Sequence, residues 1–178
     1  MGSSTVNTAD AELSAIYGEQ VSFVCHCLRR LGVPDRDLED KAQDVFVVVH
    51  RKLADYDRSR PIRPWLTGIA ARVALDHLRK AYRKHEDLRE QIETAHQQRD
   101  PEQQLAERQA RELVLAALDR LDLDQRAVFV LADIEGHSMP EIAEIIDAPL
   151  NTLYSRLRLA RQRFTRVART LSRAGAIR

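Results

Sequence analysis

The sequence predicts an all-α chain of two small helical domains joined by a polar linker. Three observations predict it. Among 178 residues only six are Gly and six Pro, aromatics make up 5%, and Ala, Leu, Arg, Glu and Gln are abundant. Those straight-chain residues lose little rotamer freedom in a helix. Apolar residues recur at three- and four-residue spacing in two blocks, 10–84 and 110–174, which is the pattern of amphipathic helices. Between them, residues 85–109 are polar, rich in Gln and Glu and interrupted by Asp100-Pro101. Such a stretch has too little apolar surface to build a core and reads as a tether.

In the first block Leu13, Ile16, Tyr17, Val21, Val24 and Leu28 stripe one helix, which Gly32-Val33-Pro34 ends. Asp35 is expected to cap the next helix. That helix contains Val45 to Val49, a β-branched run that alone would suggest a strand; its charged, helix-forming flanks and the absence of bounding turn residues favour a helix. Residues 55–64, with Tyr56, Arg58, Arg60, Pro61, Arg63 and Pro64, have loop chemistry. Trp65 to Lys84 then reads as a helix with Leu66, Ile69, Ala70, Val73 and Leu78 inside and Arg72, Arg79, Lys80, Arg83 and Lys84 making its end basic. Trp65 is expected to be structural support.

In the second block Leu113, Ala117, Leu118 and Leu121 stripe a helix, and Asp122 with Gln125 predicts a reciprocal cap for its successor. Ser138-Met139-Pro140-Glu141 repeats that capping logic, with Pro140 in the first turn, where its missing N–H costs nothing. Ile142, Ile145 and Ile146 form a buried face, Asp147-Ala148-Pro149 breaks the chain, and a helix restarts with Leu153, Leu157, Ala160, Phe164 and Val167 on one side. Two short helices around a tight turn, the second with an arginine-rich outer face, make a helix-turn-helix pattern. It places Asn151, Thr152, Tyr154, Ser155, Arg156 and Arg158 where side chains reach base edges in a major groove.

Net charge is only +1, but its distribution is uneven. From Leu150 to Arg178 there are eight arginines and no acidic residue, whereas residues 122–147 hold seven carboxylates against the single Arg126. Adjacent segments of opposite sign suit a polyanion on one face and a protein on another. The six histidines are scattered, and there is no Gly-rich phosphate loop, nucleophile elbow or metal-ligand spacing. Neither an enzyme, a cofactor nor a metal is therefore expected. Cys25 and Cys27 are two apart on a helix and do not face each other, so reduced, buried thiols are favoured over a zinc site with His26. No run approaches the roughly 18 to 20 apolar residues that cross a bilayer and no signal segment opens the chain, which predicts a cytoplasmic protein without membrane insertion.

The segment Glu135-Gly136-His137-Ser138, then Glu141 to Ile146, then Pro149 to Leu157 with Ala160-Arg161 resembles region 4 of the extracytoplasmic-function (ECF) sigma factors of the sigma-70 family. Leu121, Gln125, Arg126, Phe129 and Leu131 also fall in that family's places. Independently, Asp37 to Phe46 resembles the polymerase-binding helix of region 2, and Trp65-Leu66, Ile69-Ala70 and Leu75-Asp76 resemble its promoter-melting helix. The chain departs from the family pattern at Leu38, Arg72, Asp147, Asn151 and Tyr154; Asp147 and Asn151 replace glycines, yet Asx residues tolerate tight turns and left-handed geometry.

The resemblance implies a non-catalytic transcription initiation factor whose partners are core RNA polymerase and promoter DNA, with an anti-sigma factor as a candidate further partner. Asp40, Gln43, Asp44 and Phe46 would dock on the β′ coiled coil. Arg63, Arg72, Arg79 and Lys80 would face DNA at the minus-10 element, with the 55–64 loop holding a flipped base. The helix-turn-helix set, with Arg161, would read the minus-35 element while its domain contacts the β flap. At this level two alternatives stand beside it: a helix-turn-helix regulator that acts without polymerase, and a helical interaction module whose arginines only solubilise it.

Overall fold

The computed structural model describes residues 4–85 and 103–175, and every regular element among them is helical. The helices are α1 (Ser4–Leu31), α2 (Leu38–Lys52), α3 (Ile62–His85), α4 (Gln103–Leu118), α5 (Leu123–Phe129), α6 (Met139–Ile146) and α7 (Leu150–Gly175). The tether expected over 85–109 lies largely outside the described residues, but its last seven residues belong to α4. Gln103-Gln104-Leu105-Ala106-Glu107-Arg108-Gln109 is a run of strong helix formers, so helix propagates through it although its apolar content is low.

The helices α1, α2 and α3 pack against one another. Gly32, at φ 106°, turns the chain out of α1: its N–H donates to the Arg29 carbonyl at 3.0 Å and Val33 N–H donates to the Leu28 carbonyl at 3.0 Å. This is the left-handed helix stop that glycine adopts without a Cβ clash. Asp35 does not cap α2. It begins a short 3₁₀ turn and pairs with Arg29 at 2.7 Å, while α2 starts at Leu38 after Asp37. The valine run is helical: Val45 and Val49, four apart, are buried, and Val47 points outward. Helix α3 starts three residues earlier than expected, since Pro64 fits within its first turn, where the missing N–H leaves no bond unmade. Trp65 stacks on Tyr56 with ring centroids 4.7 Å apart, and the Tyr56 hydroxyl donates to the Arg60 carbonyl, which ties the 55–64 loop to α3.

In the second half α5 and α6 pack on α7, and α4 also lies along it. At α5, Asp122 accepts from the Gln125 N–H at 2.8 Å; only this arm of the expected reciprocal cap is made. At α6 both arms form, with Ser138 N–H donating to Glu141 Oε2 at 2.8 Å and Glu141 N–H meeting Ser138 Oγ at 3.5 Å. Hydrogen bonds from Ser138 hold the Glu141 carboxyl below its usual range. Asp147 takes left-handed geometry, φ 57° and ψ 59°, as its replacement of a turn glycine requires. One π-helical turn, Val130–Ile134, was not legible from periodicity; Glu135 N–H reaches back to the Val130 carbonyl at 2.9 Å.

The two apolar stripes do not stay separate. Leu28, Leu31 and Val49 belong to the same contiguous core as Val128, Leu131, Ile142 and Leu153, and α1 and α3 contact α5, with α3 also contacting α6. Cys27 is buried, which pushes its thiol up to about 12, and burial also raises that of the half-buried Cys25. Among the described residues no helix is long and apolar enough to cross a membrane, and no group of three His, Cys, Asp or Glu side chains is placed to hold a metal ion.

Candidate functional site

The outer face of α2 carries Asp40, Gln43 and Asp44, all exposed, followed by Val47 at 49% exposure. Positions three, four and seven apart share one face of a helix. Lys41 bridges the two carboxylates, 2.7 Å from Asp40 and 2.5 Å from Asp44, and these bonds raise its pKa. The acidic edge is thereby held in one arrangement. Phe46 requires a correction: at 6% exposure it is a core residue. A docking role read from the α2 pattern overlooked that Phe46 follows Val45 into the interior. Its ring meets Tyr17 edge-on at 4.7 Å, and Tyr17 and Val47 supply the exposed apolar surface beside the carboxylates.

On α3 the basic residues are spread along the helix. Arg63 lies over the Phe23 ring, 5.0 Å from its centre, and reaches Gln20 at 3.3 Å. Arg72 donates to the Glu144 carbonyl at 3.1 Å, Arg79 lies 3.7 Å from Asp124, and Lys80 is exposed. In the adjoining loop Arg58 forms a two-pronged pair with Glu12 at 2.8 and 2.9 Å.

At the start of α7, Asn151, Thr152, Tyr154 and Ser155 are exposed, opposite the buried Leu153 and Leu157. Ser155 Oγ donates to the Asn151 carbonyl at 3.0 Å. Arg156 is bound to Asp124 at 2.5 Å, and Arg161 forms a two-pronged pair with Asp133 at 2.6 and 2.8 Å that raises its pKa. Arg158, Arg166, Arg169 and Arg173 are exposed and have no ion pair among the described residues. At positions 158, 166, 169 and 173 they fall close to one helical row, an uncompensated positive edge.

Sequence reasoning missed the acidic and buried partners of these arginines. Asp124 meets both Arg79 and Arg156. Arg126, only 8% exposed, donates to the Arg30 carbonyl at 2.6 Å, the Arg29 carbonyl at 3.0 Å and Asp119 at 2.6 Å. Burial lowers its pKa, with Asp119 opposing that shift. Asp124 was visible only as one acid among seven, and nothing local in the sequence marks Arg126 as a cap for a helix that ends 95 residues earlier.

Residues 16–84 match the family model for Sigma-70 region 2, and residues 111–164 that for Sigma-70 region 4. The RNA polymerase sigma factor CnrH of Cupriavidus metallidurans is 32% identical over 149 residues, covering 77% of this chain and 76% of that one. The ECF RNA polymerase sigma factor SigM of Mycobacterium tuberculosis is 29% identical over 171 residues, covering 89% and 84%. Among solved structures, CnrH in complex with the cytosolic domain of CnrY aligns over 90% of both chains with a TM-score of 0.58 and 26% identity. The fold is shared with the sigma factor RpoE in complex with the anti-sigma factor NepR from Bartonella quintana, over 89% of this chain and 97% of that one, with a TM-score of 0.64 and 20% identity. The chain belongs to the ECF sigma factors of the sigma-70 family, which direct core RNA polymerase to promoters.

Proposed function

We propose that residues 10–84 anchor core polymerase and open the minus-10 element, that residues 110–174 read the minus-35 element, and that a tether within 85–109 joins them. The observation that carries this reading is the pairing of two unlike faces: the acidic edge of α2 and the acid-free arginine face of α7. On α2, Asp40, Gln43 and Asp44 meet the β′ coiled coil, with Val47 and Tyr17 adding apolar contact. On α7, Asn151, Thr152, Tyr154, Ser155 and Arg156 meet base edges, while Arg158 and Arg161 meet phosphates. Arg63, Arg72, Arg79 and Lys80 face the melted segment, and the second domain also touches the β flap. The protein acts in the cytoplasm and has no catalysis of its own. An anti-sigma factor is a further partner of this chain, a reading supported by its likeness to sigma structures solved with such partners.

Mixing the chain with core polymerase tests the reading: RNA chains should start at specific promoters on a pool of genomic fragments. Replacing Gln43 and Asp44 together by Ala should weaken capture of core polymerase while changing stability by less than about 0.5 kcal/mol, since both are exposed. Pull-down of normal amounts of core by that variant would reject the docking face. In the polymerase-bound chain, Arg156→Ala should reduce binding to a minus-35 duplex by about 1 to 3 kcal/mol if it contacts a base edge, more than it reduces binding to random duplex. Equal losses on both duplexes would assign it to phosphate instead.

A further inference from the structure

We propose that Glu12 of α1 is a positioning residue for promoter opening: through Arg58 it holds the 55–64 loop in the shape and place that receive an unpaired minus-10 base. The proposal rests on the reading that this loop meets the melted strand.

The loop joins α2 to α3 and is ordered at two levels. Its shape is set internally. Asp57 Oδ1 accepts from the Ser59 N–H at 3.0 Å and from Ser59 Oγ at 2.7 Å, and Arg60 N–H donates to the Asp57 carbonyl at 3.0 Å. With the Tyr56 hydroxyl on the Arg60 carbonyl and the Tyr56 ring stacked on Trp65, these bonds close a tight turn onto the start of α3. None of them fixes where the turn sits relative to α1. Two arginines do that. Arg58 sends Nε and Nη2 to the two oxygens of Glu12, 46 residues away in sequence, at 2.9 and 2.8 Å. Arg63 reaches Gln20 and lies over the Phe23 ring. Glu12 and Gln20 are about 12 Å apart along the axis of α1, on one side of it, so this helix grips the segment at two points. Glu12 itself stands before residues 16–84, the span that matches region 2.

Charge alone gives this carboxylate the wrong sign for a DNA-facing loop. A free Glu12 would repel phosphates, and pairing takes Arg58 out of the positive charge offered to them. Its value is geometric. A two-pronged arginine–carboxylate pair fixes orientation as well as distance, and it is the form in which an exposed ion pair contributes measurably. The hydrogen bond from Arg58 holds the Glu12 carboxyl below its usual range, so the pair is whole at neutral pH. Drawing a base out of its stack is uphill. A loop that occupies its receiving shape only part of the time has its affinity for that base reduced by the same fraction. Tying the loop in advance keeps the fraction high.

The test compares Glu12→Ala, Arg58→Ala and the double variant, each as the full chain with core polymerase, on the genomic fragment that gives the strongest initiation in the pool. Opening is followed by the permanganate reactivity of unpaired thymines in the minus-10 segment. Glu12→Ala should slow opening about two- to fivefold, the range that a well-formed exposed pair supports, while capture of core polymerase and binding of the minus-35 duplex stay at parent values. Arg58→Ala should do the same, and the double variant should be no slower than either single one, because both act through one pair. On the same fragment carrying a mismatched, already open minus-10 segment, all three should start RNA chains at the parent rate; loss of folded protein would slow both fragments alike. The proposal is overturned if Glu12→Ala opens the promoter as fast as the parent or faster, which is the purely electrostatic outcome, if the losses of the single variants multiply in the double, or if the defect is equal on the mismatched fragment. The reading beneath it fails on another result, unchanged opening by Arg60→Ala combined with Arg63→Ala.

Discussion

Arg126→Ala should cost about 3 kcal/mol of folding stability and open the molecule. The guanidinium is buried and makes three charge-assisted bonds, two to the α1-terminal carbonyls of Arg29 and Arg30 and one to Asp119. Its removal strips the Arg30 carbonyl and Asp119 of this donor and leaves the Arg29 carbonyl with the Gly32 N–H alone, and breaking a buried, hydrogen-bonded charge typically costs about 3 to 5 kcal/mol. Because Asp119 is itself partly exposed and water can reach the opened α1 terminus, the low end of that range applies. Arg126→Lys should recover little, since a single ammonium cannot span two carbonyls and a carboxylate as the planar fork does. Gly32 faces the same guanidinium, 3.4 Å from where its Cβ would be, so the helix stop and its cap are one unit. Urea denaturation gives the energy, and small-angle scattering should show a larger radius of gyration. A variant as stable and as compact as the parent would mean that Arg126 holds nothing.

Leu153→Ala should be at least as damaging, about 2 to 5 kcal/mol, through loss of a fully buried side chain and the cavity it leaves. Leu153 sits in the first turn of α7, and its burial fixes which way the neighbouring Thr152, Tyr154 and Arg156 point. DNA binding should therefore fall with stability. Tyr154→Ala is the informative partner: at 56% exposure it should shift stability by less than about 0.5 kcal/mol while still weakening the minus-35 duplex. Denaturation curves that place the two variants side by side would show that the face assignment of α7 is wrong.

Much of the architecture could be read from particular residues. The capping boxes at Ser138 and, in one arm, at Asp122 announced α6 and α5, because capping groups lie three residues apart and need only local geometry. The exposed row of Asn151, Thr152, Tyr154 and Ser155 was fixed by its register against Leu153 and Leu157. Where reading failed, the competing cause was equally specific. Phe46 looked like a docking residue because it sits within an acidic motif, but burial depends on what packs opposite it, here Tyr17. Asp35 looked like a cap, yet Arg29 from the preceding helix took its carboxylate first.

The sequence by itself determined most of the helices, the cap of α6, the helix-turn-helix and the sigma-70 membership, all of which depend on spacings within a few turns of chain. Only the tertiary structure decided which arginines are free. Arg158 and Arg156 are two residues apart on α7, yet among the described residues one has no ion pair and the other is held by Asp124, which lies 32 residues from it in sequence and also reaches Arg79. The physical reason is that a guanidinium's partner is chosen by through-space proximity at a few ångströms, and periodicity carries information about faces of one helix but none about which carboxylate another helix brings to that face.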